Sequence, residues 1–317
     1  MASDAKMLVT ADGARWGTVG GGCTEADVTA QALTTLESRQ PTLVSHTLNA
    51  DEIGDLALSC GGTVEMFVEP LVASAGLAAL CRAVGQGIER RRPATVATAI
   101  AWPDGPAKLA VVGTDRLAVG TTGALEPLLS RSLTTHHVPR TTHRHTVAFV
   151  DEAAGAFVEP LHPMPRVTVF GAGHVGAEVA ELAAHAGFYV VVVDDRTEFA
   201  NERRTPSANE IIVEGFRAVL DRLTFDQDDY VIAATRGHSF DAYVVERTAG
   251  SGAAYVGMLG SKRKRAVIWK SLEAAGVSAE ALARVHSPIG VDIGADTPAE
   301  IAVSVVAELV KLRRMGG

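Results

Sequence analysis

Two groups of residues in this chain of 317 have the types and spacing to do chemistry. The first is GTVGGGCTE, Gly17 to Glu25, where Gly20, Gly21 and Gly22 stand directly before Cys23, with Glu25 two positions on. The pattern predicts a helix that starts at Cys23 and runs to about Ser38. A thiol there meets exposed N–H groups and the positive end of the helix dipole, which lower its pKa and favour thiolate, the form that binds soft metals or attacks. The glycines let a bulky ligand approach the backbone, and Glu25 could accept or shuttle a proton. A second thiol, Cys60, stands before Gly61 and Gly62 in SCGG, so the two sulfurs could face one cavity. The alternative is that both are small buried apolar residues in glycine turns.

The second group is VTVFGAGHVGAEVAELAAHAGFYVVVVDDR, which reads strand, glycine turn, helix, strand, acid. Gly171, Gly173 and Gly176 allow a tight turn, close approach of a pyrophosphate to backbone, and close packing of helix on sheet. Asp194 or Asp195, followed by Arg196, would hold a ribose hydroxyl, which favours NAD or another unphosphorylated ribose over NADP. A Rossmann fold that binds no dinucleotide is the alternative. His174 lies inside the turn, where a structural residue would more often be small. Later strands of the same sheet end in two more polar clusters. TRGHSFD supplies Thr235, Arg236, His238 and Asp241; GSKRKR supplies Gly260, Ser261 and a basic run from Lys262 to Arg265. The latter is a candidate anion site at a helix start, or else a solvated basic helix face. His136, His137, His143 and His145 in THHVPRTTHRH read as surface hairpin residues rather than a metal site, since no cysteine or carboxylate cluster accompanies them.

These groups need elements to position them. The two prolines of LHPMPR, Leu161 to Arg166, mark a division. Beyond it, RVTVF, FYVVVVD, NEIIVEG, DYVIAAT and AAYVGML are continuous apolar strands, with helices mostly intervening, as in a parallel sheet covered on both faces. Thr297, Pro298 and Glu300 give an N-cap, a first-position proline and a capping-box acid to a last helix, with Ile301, Val305, Leu309 and Leu312 on one face. The expected architecture is an α/β protein in two domains: an amino-terminal α/β domain over 1–162 with an internal duplication, and a Rossmann-like doubly wound parallel sheet over 166–317. The duplication rests on FVEPL, which occurs at Phe67–Leu71 and again at Phe157–Leu161, each preceded by a similar passage: KMLVTADGARWGTVG from Lys6, KLAVVGTDRLAVGTTG from Lys108. The copies run over about 1–71 and 77–161. Only the first carries glycine-flanked thiols. Only the second is preceded by a helix-like stretch, Leu77 to Arg90, and a strand, ATVATAIAW; either the first copy lacks an edge element or the chain starts late relative to its relatives.

Composition narrows the partners. A net charge of -8 and a pI near 5.7 argue against nucleic acid or an anionic membrane. No apolar run is long enough to span a bilayer and no signal peptide is evident, so a cytoplasmic protein is expected. Three cysteines are too few for a disulfide framework.

Together these blocks resemble the XdhC/CoxI family of maturation factors for molybdenum hydroxylases such as xanthine dehydrogenase and carbon monoxide dehydrogenase. GTVGGGCTEADV and CGGTVEMFVEPL look like the family's amino-terminal domain. VFGAGHVG, DDR, TRGHSFD, YVGMLGSKRKR and SPIGVDIGADTPAEIAVSVVAELV look like its Rossmann domain. The resemblance implies a chaperone rather than a catalyst: it binds the molybdenum cofactor (molybdopterin), protects it while the terminal sulfido ligand is installed, and transfers it to the apo-hydroxylase. On that reading Cys23 and Cys60 are candidate ligands or sulfur contacts for molybdenum. The Gly171 turn and GSKRKR would hold NAD, another nucleotide or the pterin phosphate. The implied partners are the client hydroxylase and a sulfurtransferase or cofactor nucleotidyltransferase. A homodimer is expected because uncovered strand edges in the first copy need a cover. The rival expectation is an NAD-dependent oxidoreductase with His174 or His238 as acid/base; a weaker one is a redox switch formed by Cys23 and Cys60.

Overall fold

The computed structural model describes residues 5–20, 22–48, 62–123, 125, 126, 128 and 148–315. It divides into two compact units, the boundary falling between Pro163 and Met164. In the first unit a short antiparallel hairpin, β1 (Met7–Val9) and β2 (Arg15–Gly17), leads into α1 (Gly22–Ser38). A second antiparallel pair follows, β3 (Thr42–Leu48) and β4 (Gly62–Val68). Ser74 then caps α2 (Ala75–Glu89) by accepting the Leu77 N–H. After it come β5 (Ala94–Ala99), the hairpin β6 (Lys108–Val112) and β7 (Asp115–Val119), and β8 (Phe149–Asp151) with β9 (Ala156–Leu161). These last five form one antiparallel sheet in the order β7-β6-β5-β9-β8.

Alternation sends the strand residues of that sheet to two different cores. Leu109, Val111, Ala156 and Val158 meet Leu125 and Leu128 on one face. Val96 and Ala110 meet Leu80 of α2 on the other, with Val119 and Leu161 packed at the margin. The two FVEPL segments lie against each other: the Phe67 and Phe157 rings stack, centroids 4.8 Å apart and 18° from parallel. Each segment's glutamate pairs with a lysine near the start of a hairpin in the other part of the unit, Glu69 with Lys108 at 2.6 Å and Glu159 with Lys6. The pairs sit in different surroundings. The Lys108 side chain is 7% exposed and also donates to Thr98 Oγ1, whereas that of Lys6 is 59% exposed.

The second unit is a six-stranded sheet, parallel throughout, built from β10 (Arg166–Phe170), β11 (Tyr189–Asp194), β12 (Glu210–Val213), β13 (Asp229–Ala233), β14 (Tyr255–Met258) and β15 (Val285–His286). Its order, β12-β11-β10-β13-β14-β15, is 3-2-1-4-5-6 in the unit's own count, the doubly wound arrangement. The apolar runs need two covered faces. Val167, Val169, Val190, Val192 and Ile232 pack on one side against α3 (His174–His185) and α8 (Pro298–Met315). Phe170, Val191, Val193, Val231 and Met258 pack on the other against α4 (Phe216–Arg222), α5 (His238–Thr248) and α6 (Lys262–Ala274), with α7 (Ala279–Ala283) adding Leu282. The capping box of α8 forms as expected: Glu300 accepts from the Thr297 and Asp296 N–H groups, and Thr297 accepts from Glu300. Among the described residues no helix is long and apolar enough to cross a membrane.

The two lysine–glutamate pairs generate a prediction. Glu69→Ala leaves the Lys108 ammonium buried without its carboxylate and should cost about 3 kcal/mol, whereas Glu159→Ala, beside an exposed lysine, should cost less than about 1 kcal/mol. Urea unfolding of the two variants measures the difference.

Candidate functional site

In an open doubly wound sheet the ligand crevice lies at the strands' carboxyl ends, where the order reverses, here between β10 and β13. The chain after β10 has to pass very close to the loop after β13. Gly171 takes a φ of +109°, and a Cβ there would lie 2.3 Å from the Ala234 carbonyl oxygen. A Cβ on Gly176, in the first turn of α3, would lie 1.9 Å from the Gly171 carbonyl oxygen. Gly173 differs: no atom lies within 4 Å of its Cβ position. Gly171 therefore serves the close passage of the turn against the loop after β13, Gly176 the packing of α3 on the turn and β10, and Gly173 leaves open space at the N-cap of α3. The caps of α3 and α5 are Gly173 and Gly237, neither of which offers a side chain to its helix. His174 and His238, both exposed, are the first residues of those two helices.

Asp194 is turned inward, 1% exposed at the end of β11. The Ala172 N–H donates to its Oδ2 (2.9 Å), and Arg196 grips both oxygens, Nε to Oδ1 at 2.9 Å and Nη2 to Oδ2 at 3.0 Å. Burial raises the carboxyl's pKa, but the donors from Arg196 and Ala172 outweigh it and hold the group below the ordinary carboxylate range. Arg196 also stacks on Phe199, 3.7 Å from the ring centroid. This carboxylate anchors the glycine turn. Asp195 sits at the surface instead, in a two-toothed pair with Arg236 (3.0 and 2.9 Å) that joins the loop after β11 to the loop after β13.

A second buried carboxylate organises the next loop. Asp241, fully buried in the first turn of α5, accepts from the Thr235 N–H (3.0 Å), from Thr235 Oγ1 (2.8 Å) and from Lys264 Nζ (2.5 Å). Lys264 donates also to the Leu259 carbonyl oxygen, and its stem lies where a Cβ on Gly260 would be. The basic run therefore splits. Lys264 points into the protein, and Arg265 reaches the Ser287 carbonyl oxygen and lies over Trp269. Ser261 caps α6 through the Lys264 N–H. Lys262 and Arg263 face solvent. A solvated basic helix face accounts for only half of the run, because two of its four cations support loops from within.

Beside Gly260 and Lys262 opens a cavity of about 460 Å3, walled mainly by the loop from Pro288 to Ala295 and by Ile301 and Ser304 of α8. Glu308 underpins that loop, accepting from the Gly290 N–H (2.9 Å) and Tyr255 Oη (2.5 Å), with His286 Nδ1 at 2.9 Å. Burial pushes the Glu308 carboxyl up, but the contacts with His286, Tyr255 and Gly290 bring it below its usual value; burial, together with the Glu308 charge, raises Tyr255 well above the ordinary phenol value. Sequence reasoning missed Tyr255, His286 and Glu308. The one signal was a glutamate set between Val305 and Leu309 on the apolar face of the last helix.

In the first unit α1 begins at Gly22, and Cys23 lies in its first turn. Glu25 closes the preceding turn: it accepts from Thr18 Oγ1 and the Val19 N–H (3.3 Å), with Arg15 at 3.9 Å. Gly20 takes a φ of +125°. Gly21, Cys60, Gly61, the four histidines of THHVPRTTHRH and the side chain of Cys23 lie outside the described residues. Among the described residues no group of three or more histidine, cysteine, aspartate or glutamate side chains is placed to hold a metal ion. Cys81 on α2 is a free, exposed thiol.

A parallel sheet of this order with a glycine turn at its reversal defines a Rossmann-type unit. Residues 167–309 match the XdhC Rossmann domain, and residues 4–47 match the XdhC and CoxI family. The chain belongs to the XdhC and CoxI family. It is 35% identical over 162 residues to an uncharacterized Escherichia coli protein, YqeB; the match takes in 51% of this chain and 30% of that protein's length. It is 25% identical over 314 residues to a Bacillus subtilis protein named as a probable subunit of xanthine dehydrogenase, covering 98% of this chain and 88% of the relative. A crystal structure of a xanthine dehydrogenase from Bacillus halodurans shares the fold, with a TM-score of 0.75 at 24% identity over 96% of this chain and 85% of the other.

The glycines of the crevice have separable roles that substitution should expose. Gly176→Ala should destabilise the protein by about 3 kcal/mol, because neither backbone can retreat, whereas Gly173→Ala, with open space at its Cβ position, should leave thermal unfolding nearly unchanged. Glu308 carries a lowered folded pKa, so its contribution to stability is complete above its ordinary pKa of 4.5 and is lost as pH falls through the folded value. Unfolding followed from about pH 7 to about pH 3 should therefore show a shallower acid limb in Glu308→Gln than in the unaltered chain.

Proposed function

We propose that this chain is an accessory factor that holds the molybdenum cofactor and delivers it to a molybdenum hydroxylase such as xanthine dehydrogenase. The observation that carries the reading is the match to two parts of one family, one over the glycine turn of the second unit and the other over the glycine–cysteine segment of the first. The B. subtilis relative, whose name assigns it to xanthine dehydrogenase, supports the class of client. Sulfido-ligand installation calls for a sulfurtransferase upstream, and a cytoplasmic location goes with this reading.

The residues of the crevice suit a phosphorylated pterin. Gly173 leaves open space where a Cβ would stand, and the glycine caps of α3 and α5 leave backbone N–H groups available to an anion. The cofactor would supply a thiophilic metal, and Cys23, in the first turn of α1, is the first unit's own candidate contact for such a metal, whatever the crevice of the second unit holds. The chain's own work is to bind and to keep water away; no residue here is assigned a chemical step.

A dinucleotide-dependent oxidoreductase is the second reading, favoured by the geometry of the glycine turn. It is weakened at Asp194, one of the two acids expected to hold a ribose, because both its oxygens accept from Ala172 or Arg196; the other, Asp195, lies at the surface paired with Arg236.

Anaerobic incubation with molybdenum cofactor, followed by gel filtration and assay of molybdenum and pterin, tests the proposal. The full chain should retain cofactor stoichiometrically, and Cys23→Ala should lose at least about tenfold in affinity. Absence of retention, with Cys23→Ala no different in activating a hydroxylase, would overturn it. Calorimetry with NAD separates the second reading, which requires heat of binding at millimolar cofactor.

A further inference from the structure

The acid–base pairs at the carboxyl ends of the parallel sheet differ in depth. In Asp194–Arg196 and Asp241–Lys264 the carboxylate is buried, whereas in Asp195–Arg236 the acid is 32% and the base 42% exposed. The buried acids also hold backbone: Asp194 accepts the Ala172 N–H, and Asp241 that of Thr235. Among the described residues Asp195 accepts from Arg236 only, one N–H to each oxygen at 3.0 and 2.9 Å. Of these pairs it is the one whose opening disturbs no loop backbone and leaves no charge buried.

Its place is also particular. β10 lies between β11 and β13 in the sheet, so a pair that joins the loop after β11 to the loop after β13 crosses the end of β10, where the chain turns through Gly171 into α3. Both feet of this strap are fixed. Asp195 follows Asp194, which is tied to Ala172 of the turn. Arg236 follows Thr235, whose Cα lies 2.9 Å from the Cβ position of Gly171 and whose N–H and hydroxyl are held by Asp241. The Arg236 guanidinium further lies over Phe240, 5.5 Å from the ring centroid, and Phe240 packs edge-on against Phe216 at 5.3 Å. The guanidinium therefore keeps its support when the carboxylate leaves.

We propose that Arg236 is the anion-selecting residue of the crevice and that Asp195 is its exchangeable partner: a ligand phosphate seated at the start of α3 takes the two N–H groups that Asp195 otherwise holds. A guanidinium presents the same fork to a carboxylate and to a phosphate, and an exposed pair is held weakly enough to be displaced. The helix start supplies further N–H donors to the same anion. This rests on the part of the proposed function that seats a phosphate in the crevice, and it goes further in making Asp195 a competitor of the ligand. An acid that reads a ribose hydroxyl would be an ally of the ligand instead, so the two roles of Asp195 predict opposite signs.

Calorimetry of the full chain with inorganic pyrophosphate, and separately with NAD, reads the sign. Asp195→Asn should bind pyrophosphate about threefold more tightly, the worth of a surface pair that no longer has to be broken. Arg236→Gln should bind it about tenfold more weakly, with Arg236→Lys in between because it keeps the charge and loses the fork. All three change exposed side chains, and their thermal unfolding should stay near that of the unaltered chain. The proposal is overturned if pyrophosphate gives no heat at millimolar concentration, or if Asp195→Asn leaves its affinity unchanged or lower. It is likewise overturned if Asp195→Asn weakens NAD binding without tightening pyrophosphate, which would assign Asp195 to a ribose. Gel filtration with molybdenum cofactor keeps the two failures apart. Cofactor retained by the full chain while Asp195→Asn fails to tighten pyrophosphate sinks the exchange alone; cofactor not retained sinks the delivery reading, and the sign at Asp195 still decides the exchange.

Discussion

The second unit depends on one close approach: the backbone leaving β10 passes so near the end of β13 and the start of α3 that side chains at residues 171 and 176 have no room. This contact lets α3 lie flat on the sheet, so that Val179, Ala180 and Ala183 are completely buried against the valines of β10 and β11. It also fixes where the N-terminus of α3 points. A helix lifted by the thickness of a methyl group would lose both that packing, worth about 1 kcal/mol for each buried methylene uncovered, and the alignment of its N–H groups with the crevice. The packing of α3 and the direction of its N-terminus here have one cause.

Around that contact the charged residues divide by depth. Asp194 and Asp241 are buried and their hydrogen-bonding capacity is spent on loop backbone and on a cation each, Arg196 and Lys264. A buried carboxylate stripped of its donors would be far more costly than the pair is stabilising, so these residues specify loop position. The groups left at the surface are different ones: Asp195 with Arg236, His174, His238 and Lys262. Any anion that enters the crevice meets this outer layer and the uncapped helix starts, while the inner layer keeps them in place. The loop walling the 460 Å3 cavity is held the same way, with Glu308 reaching it from α8.

This layering shows what could be read from the sequence. The strands of the parallel sheet were legible because continuous valine runs bounded by glycine and aspartate have few other interpretations, and α8 was legible from its Thr297–Glu300 box. β15 and α7, two and five residues long, carry no periodicity to detect. Asp194 and Asp195 were indistinguishable, since the pleat that turns one inward and the other outward is set by register. Lys264 read as one cation among four; its inward course depends on Asp241, 23 residues away, which no local pattern connects. In the first unit the repetition of FVEPL was visible, but not that its two glutamates exchange partners between one exposed and one buried lysine.

Glu25 sharpens the chemistry of the glycine–cysteine segment. Two residues beyond a thiol, a carboxylate suggests proton transfer, yet this one is committed to Thr18 and to the Val19 N–H, the chain entering α1. To move a proton it would have to release the turn that sets the start of the helix. Its negative charge in the first turn of α1 also favours the helix dipole. Glu25 therefore holds the start of α1, the helix that carries Cys23 in its first turn.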